Sequence, residues 1–256
     1  MFALNVKVGG SGRGVSWAKK VHSDCPNAVA LSAGEERESA LVAGASGIGT
    51  LFHAMQARYY TKGGFDPYRS VVPEAYDGSI VVDDEAMNEA ARLHCVWQRD
   101  HSPDEFGEVV GVEVAGEHTF LPGLLPNTAD LDLVTRKDGR EHIYDWKVIS
   151  DASTIPMYAL DPQGLFYQMV RPGALFSYVF IVRGRSKKNG PEVVIHDLPE
   201  ITEADRDSVS KWFINAARRE GEYLTTQSPQ KHLHLCSRMM FNRLVTCKFL
   251  GKECSR

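Results

Sequence analysis

Residues 131–148 read LDLVTRKDGREHIYDWKV. Two apolar runs, LDLV and HIYDWKV, flank the polar stretch Arg-Lys-Asp-Gly-Arg-Glu, which is the pattern of a β-hairpin. Each run nevertheless carries an aspartate, Asp132 and Asp145, where apolar side chains should dominate. Strand side chains alternate, so Lys147 shares the face of Asp145, and Asp132 on the neighbouring strand can lie opposite both. A buried carboxylate must be paired or metal-bound. A salt bridge between Asp145 and Lys147 accounts for two of the three charges and leaves Asp132 uncompensated. A hard divalent cation between the carboxylates accounts for all three, because Mg2+ takes carboxylate and water oxygens and leaves positions open for phosphate.

The rest of the chain reads as helices, then strands, then alternating elements, which predicts an α/β or α+β domain around one mixed sheet. Helices are expected at 15–23, from Gly49 with Leu51, Met55 and Tyr59 on one stripe, at 83–99 behind Asp83-Asp84, and at 162–171. A long helix should run from Thr202 to about Tyr223, opened by Thr-Glu-Ala-Asp, with Val209, Trp212, Phe213 and Ala216 as its apolar stripe. Residues 34–47, rich in Gly, Ala, Ser and Glu, look like a loop or a mobile segment. Strands are expected at 108–115, in HTFLPG, in the two hairpin runs, in the continuous apolar run 174–182 and in PEVVIHDL. The 256 residues suffice for one large domain or two small ones. We expect a single domain over 1–256, its core at 25–200 with a helical insertion at about 49–100. The helix and Cys-rich tail of 201–256 should pack back on a helical N-terminal segment.

A hydrophobic content of 43% is ordinary for a soluble protein, and a net charge of −4 announces no basic, nucleic-acid-binding chain, although a local basic groove would suffice. No apolar run approaches the roughly 18 residues of a membrane span. The opening MFALNVKVGGSGRG has no signal-peptide core, so a cytoplasmic location and no membrane partner are expected.

Asp132, a gap of twelve residues, then Asp145-Trp146-Lys147 resembles the D…D-x-K signature of the PD-(D/E)XK nuclease superfamily. GTLFHAM (49–55) resembles the helix that carries a metal-ligand histidine in the RecB-like exonuclease branch, here His53. Asp161-Pro162-Gln163-Gly164-Leu165-Phe166-Tyr167 contains that branch's Q-x-x-x-Y pattern as Gln163 and Tyr167. The order His, Asp, Asp-x-Lys, Gln…Tyr is also the branch's order, over roughly residues 25–182. Two departures stand out. Ala129 occupies a position where the family usually has Gly, and Asp130, two residues before Asp132, is a rival first ligand.

The resemblance implies a restriction-endonuclease-like core and a Mg2+- or Mn2+-dependent deoxyribonuclease, a hydrolase of phosphodiester bonds. An exonuclease acting on DNA ends is implied before an endonuclease, in recombination, repair or phage DNA processing. His53, Asp132, Asp145 and the backbone carbonyl of Trp146 would hold the metal. Lys147 would place the attacking water, with Gln163 and Tyr167 beside the active site and the DNA. Partners would be single-stranded DNA or duplex ends and a single-strand-annealing, helicase or other recombination protein. The alternative is a catalytically idle, nuclease-like module that binds DNA or a partner within a larger complex.

An odd count of five cysteines without a secretion signal argues against a disulfide framework. AddB-like and CRISPR-adaptation relatives carry one Cys upstream of the histidine and three near the C-terminus, around an iron–sulfur cluster. Cys25, Cys236, Cys247 and Cys254 match that arrangement in order, and four thiolates suit a [4Fe–4S] cluster. The usual tight C-x-x-C is missing, so zinc or no metal stays open. Cys95 reads as a core thiol, and Glu113 as an outward strand residue or an extra acidic ligand. Arg183, Arg185, Lys187 and Lys188 form either a solvated turn or a phosphate contact that carries affinity without sequence choice. A Cys/His metalloprotein with no nucleic acid would explain the tail but not the aspartates.

Overall fold

The structure is a computed structural model that describes residues 2–3, 13–23, 40–62, 71–72, 80–184, 190–225, 237–240 and 243–246. In chain order the elements begin with β1 (Phe2–Ala3), α1 (Val15–Ser23), β2 (Ala40–Val42), α2 (Gly44–Lys62), β3 (Val71–Val72), β4 (Ile80–Val82) and α3 (Asp84–Asp100). Then come β5 (Glu108–His118), β6 (Asn127–Lys137), β7 (Arg140–Ile149), α4 (Ile155–Tyr158), α5 (Pro162–Val170), β8 (Leu175–Val182), β9 (Glu192–Leu198) and α6 (Glu203–Thr225). A small antiparallel pair, β10 (Ser237–Met240) and β11 (Arg243–Thr246), follows.

The centre is a mixed five-stranded sheet in the order β5-β6-β7-β8-β9. Only β7 and β8 run parallel, and α4 and α5 make the crossover between them. The expected α/β architecture, a mixed sheet flanked by helices with a helical N-terminal segment, is what the chain adopts. Apart from the main sheet, β2 pairs in parallel with β4, and β1 with β3.

Local chemistry explains most boundaries. Asp138 and Gly139, at φ 53° and 78°, form the turn between β6 and β7, a left-handed pair suited to a two-residue hairpin. Asp83 caps α3 by accepting from the amide of Ala86. Thr202 and Asp205 cap α6 reciprocally: the Thr202 amide donates to the Asp205 carboxylate, and the Asp205 amide donates to the Thr202 hydroxyl. Two expectations need correction. HTFLPG is not a strand: β5 ends at His118, and the residues after it turn back to β6. Of the expected loop 34–47, residues 34–39 lie outside the described residues, while 40–42 form β2 and 44–47 the first turn of α2, whose small residues hid the helix.

Both faces of the sheet are covered, which is why β8 reads as an unbroken apolar run. One core lies under α2 and α3 and takes Leu133, Tyr144, Trp146, Val179 and Ile181 from the sheet. The other lies under α1, α5 and α6 and takes Leu131, Ile143, Phe176, Tyr178 and Phe180. The α6 helix lies along α1, where Arg13 and Trp17 both reach Glu220. Among the described residues no helix is long and apolar enough to cross a membrane.

The sheet forks at Asp132. Pairing of β6 with β7 runs from Lys137–Arg140 to Leu133–Tyr144 and stops. Beyond that point β6 continues with β5 as far as His118–Asn127, and β7 continues with β8 as far as Ile149–Val182. At the same level the β5–β6 ribbon changes face. Val112 and its partner Leu133 pack under α2 and α3, whereas Val114 and its partner Leu131 pack on the opposite core. Strict alternation forbids that unless the intervening pair absorbs the change. The intervening residues are Glu113, held at φ 49°, and Asp132.

Candidate active site

The fork gathers charged groups from β6, β7 and α2. With no strand partner on its β7 side, Asp132 uses its side chain in place of the ladder: its Oδ2 accepts the amide of Trp146 at 2.9 Å. The same oxygen lies 3.2 Å from Nδ1 of His53, which α2 brings over the sheet. On β7, Asp145 Oδ2 lies 2.5 Å from Lys147 Nζ. Its Oδ1 accepts from Gln163 Nε2 at 2.8 Å, and the same amide nitrogen donates to the Tyr167 hydroxyl at 2.9 Å.

Helix α5 delivers Gln163 because it sits close to the sheet. Asp161 caps it through the Gln163 amide at 2.9 Å. Gly164 permits the approach, since a Cβ there would meet Leu198 at 2.5 Å and Phe176 at 2.9 Å. Tyr178 accepts from the Gly164 amide, and its ring lies 5.8 Å from the Lys147 ammonium. Tyr158 packs its ring on Tyr178 and Phe180. Tyr158 and Tyr178 were not singled out in the sequence, because nothing in their local spacing ties them to the aspartates.

The four charges set one another's protonation. Burial opposes the charged form of His53, but the charge and hydrogen bond of Asp132 outweigh it and raise the imidazole. Burial would raise Asp132, yet His53, Lys147 and the Trp146 amide hold it below the ordinary carboxylate value. Asp145 goes the other way: burial, with repulsion from Asp132, pushes it up to about 6 even against Lys147. Lys147 is raised, because Asp145 and Asp132 overcome its desolvation.

The sequence argument that a salt bridge leaves Asp132 uncompensated is thus overturned. Asp145 pairs with Lys147, and Asp132 is compensated by His53 and a backbone amide that residue spacing does not reveal. The case for a cation rests on the donor set. Asp132, Asp145 and His53 bring together two carboxylates and an imidazole, which suit Mg2+ or Mn2+ in kind. Their present arrangement is closed. Among the described residues no three His, Cys, Asp or Glu side chains are disposed to hold a metal ion, so binding one requires the two ion pairs to loosen.

Of the rival first aspartates, Asp132 makes the contacts with His53 and Trp146, whereas Asp130 lines a surface cleft with Ala115, Glu117 and Thr128. Glu113 faces the fork level from β5 and is half-buried. Arg183 pairs with Glu89, itself chelated by Arg92, rather than standing free for phosphate. Cys95 is half-buried on α3. Arg185, Lys187, Lys188, Cys25, Cys236, Cys247 and Cys254 lie outside the described residues.

No protein-family model and no curated protein matches the chain. Among solved structures, a Eubacterium rectale protein provisionally named an exonuclease aligns with a TM-score of 0.53 and 14% identity, over 95% of this chain and 86% of that one. A second, the protein SSO0001, aligns with a TM-score of 0.35 and 12% identity over 78% of this chain and 83% of that one, too weak a likeness to argue from. The chain is similar in fold to the provisionally named exonuclease, with its mixed sheet and flanking helices.

Proposed function

We propose that the protein is a Mg2+- or Mn2+-dependent deoxyribonuclease, an exonuclease acting on DNA ends in recombination, repair or phage DNA processing. The observation that carries this reading is the fork, where Asp132, Asp145, Lys147 and His53 arrive from three separate elements and form one cluster of opposed charges. His53, Asp132, Asp145 and the Trp146 carbonyl would hold the metal. When bound, the ion would lower the pKa of a ligated water and withdraw charge from the scissile phosphate.

The chain's own groups supply the rest. Lys147, freed from Asp145, offers an ammonium to the attacking water or to a phosphate oxygen. Gln163 steadies Asp145 and, through Tyr167, ties it to α5. Substrate grip would come from phosphate contacts and weaken with salt.

The test is cleavage of single- and double-stranded DNA ends with Mg2+ or Mn2+. Wild type should cut, while Asp145→Ala and Lys147→Ala should not. Equal cleavage by wild type and Asp145→Ala removes the assignment. The closed ion pairs favour one second reading, an idle nuclease-like module that binds DNA or a protein partner. DNA binding with no cleavage under any divalent ion would select it.

A further inference from the structure

Gln56 is fully buried on α2, and neither its amide nitrogen nor its amide oxygen has a hydrogen-bond partner among the described residues. Its place in the helix is specific. His53, Gln56 and Tyr60 share one stripe at spacings of three and four residues. The ends of that stripe touch the sheet at the site: His53 meets Asp132, and Tyr60 stacks on Trp146 with ring centroids 6.0 Å apart. Gln56 therefore lies over the sheet between these two contacts, one turn beneath the candidate metal ligand. A buried amide without partners costs about 1–3 kcal/mol, and a leucine or methionine would fill the same position without that cost. Asp132 offers the complementary group, since both its contacts use Oδ2 and leave Oδ1 for a further donor.

We propose that Gln56 is a positioning residue of this site, its amide binding one buried water that it shares with the Asp132 carboxylate. A polar enclosure with three hydrogen-bonding atoms is what a buried water needs, and Gln56 supplies a donor and an acceptor while Asp132 supplies the third. The bridge fixes the carboxylate from behind and, through it, the ring of His53. Supporting groups of this kind change metal affinity or activity by about 10- to 100-fold.

The bridge itself stands apart from the proposed activity; only the kinetic consequence rests on it. A crystal structure of metal-free wild type should show an ordered water within about 3.2 Å of both the Gln56 amide and an Asp132 oxygen. A Gln56 amide bonded directly to protein, or no such water, overturns the proposal. Gln56→Met should then stay folded, bind Mn2+ about tenfold more weakly and lose about tenfold in kcat with KM unchanged. Unaltered Mn2+ affinity and kcat in that variant overturn the positioning role. If wild type neither binds Mn2+ nor cuts DNA, the nuclease reading fails, and the crystallographic water still decides the bridge.

Discussion

The two faces of the sheet each bury a glutamine, and they treat it in opposite ways. Gln168, under α5 and α6, donates to the Pro199 carbonyl at 3.2 Å and accepts from the Ile201 amide at 3.1 Å. Gln56, under α2 and α3, has no partner for either atom among the described residues. His94 on the same side is fully buried against Phe52 and Tyr59, with the Met55 backbone as its polar neighbour. A satisfied amide such as Gln168 acts as a structural tie. One without a protein partner among the described residues, such as Gln56, is left to bond water, which is what the proposed bridge to Asp132 supplies. The fork, where β6 leaves β7, is where the two regimes meet.

The largest effect should come from Asp145, which stands in that fork. Asp145→Asn should cut DNA cleavage by at least about 1,000-fold, since it removes an anionic group from the reacting centre. Because burial raises the folded pKa of Asp145 to about 6, ionising the carboxylate costs stability as pH rises through that value. Asp145→Asn removes that cost but leaves the Lys147 ammonium without its ion-pair partner. The two effects oppose each other, and the stability of the variant relative to wild type in urea unfolding should rise from about pH 4.5 to about pH 7.5. A difference that stays constant over that range would show that Asp145 does not titrate there.

The glutamine contrast can be broken directly. Gln168→Met strands a carbonyl and an amide and should cost about 2–4 kcal/mol. Gln56→Met strands no protein group among the described residues, gives up only its water bridge and should cost about 1 kcal/mol or less. Equal costs in chemical denaturation would collapse the distinction between the faces.

His94 extends the comparison to pH. Burial pushes its imidazole down to about 4, the Met55 backbone offsetting part of that. The group therefore takes up its proton on unfolding between about 6.5 and 4, and stability falls as pH drops through that window. The loss should reach up to about 3 kcal/mol, and His94→Phe should flatten it when melting is followed from pH 7 to pH 4.5.

What the sequence made legible was whatever depends on short-range spacing. The hairpin with its two aspartates, the Thr202 cap, the D…D-x-K pattern and the four-residue step from Gln163 to Tyr167 all appear where local periodicity places them. What stayed hidden depends on the backbone or on distant partners. The Trp146 amide compensates Asp132, and no side-chain pattern can show a main-chain donor. The face change at Glu113 and Asp132 falls on neither glycine of β5, Gly111 or Gly116, because a non-glycine residue takes the left-handed conformation. Gly44-Ala45-Ser46-Gly47 reads as a loop by composition and is helical in the chain, where Gly47 packs directly against Val42 of β2.

The smallest expected effect concerns Tyr167, on the satisfied face but one hydrogen bond from the site. Tyr167→Phe removes the acceptor at 2.9 Å from Gln163, while the bond from Gln163 to Asp145 survives. The ring remains packed against Phe176, with centroids 6.0 Å apart, so the loss should be about 1 kcal/mol of stability. If Tyr167 only steadies Gln163, kcat should fall a few-fold with KM unchanged. A large rise in KM for DNA would instead place its hydroxyl against substrate, and the satisfied face would then share in binding as well as in holding the fold.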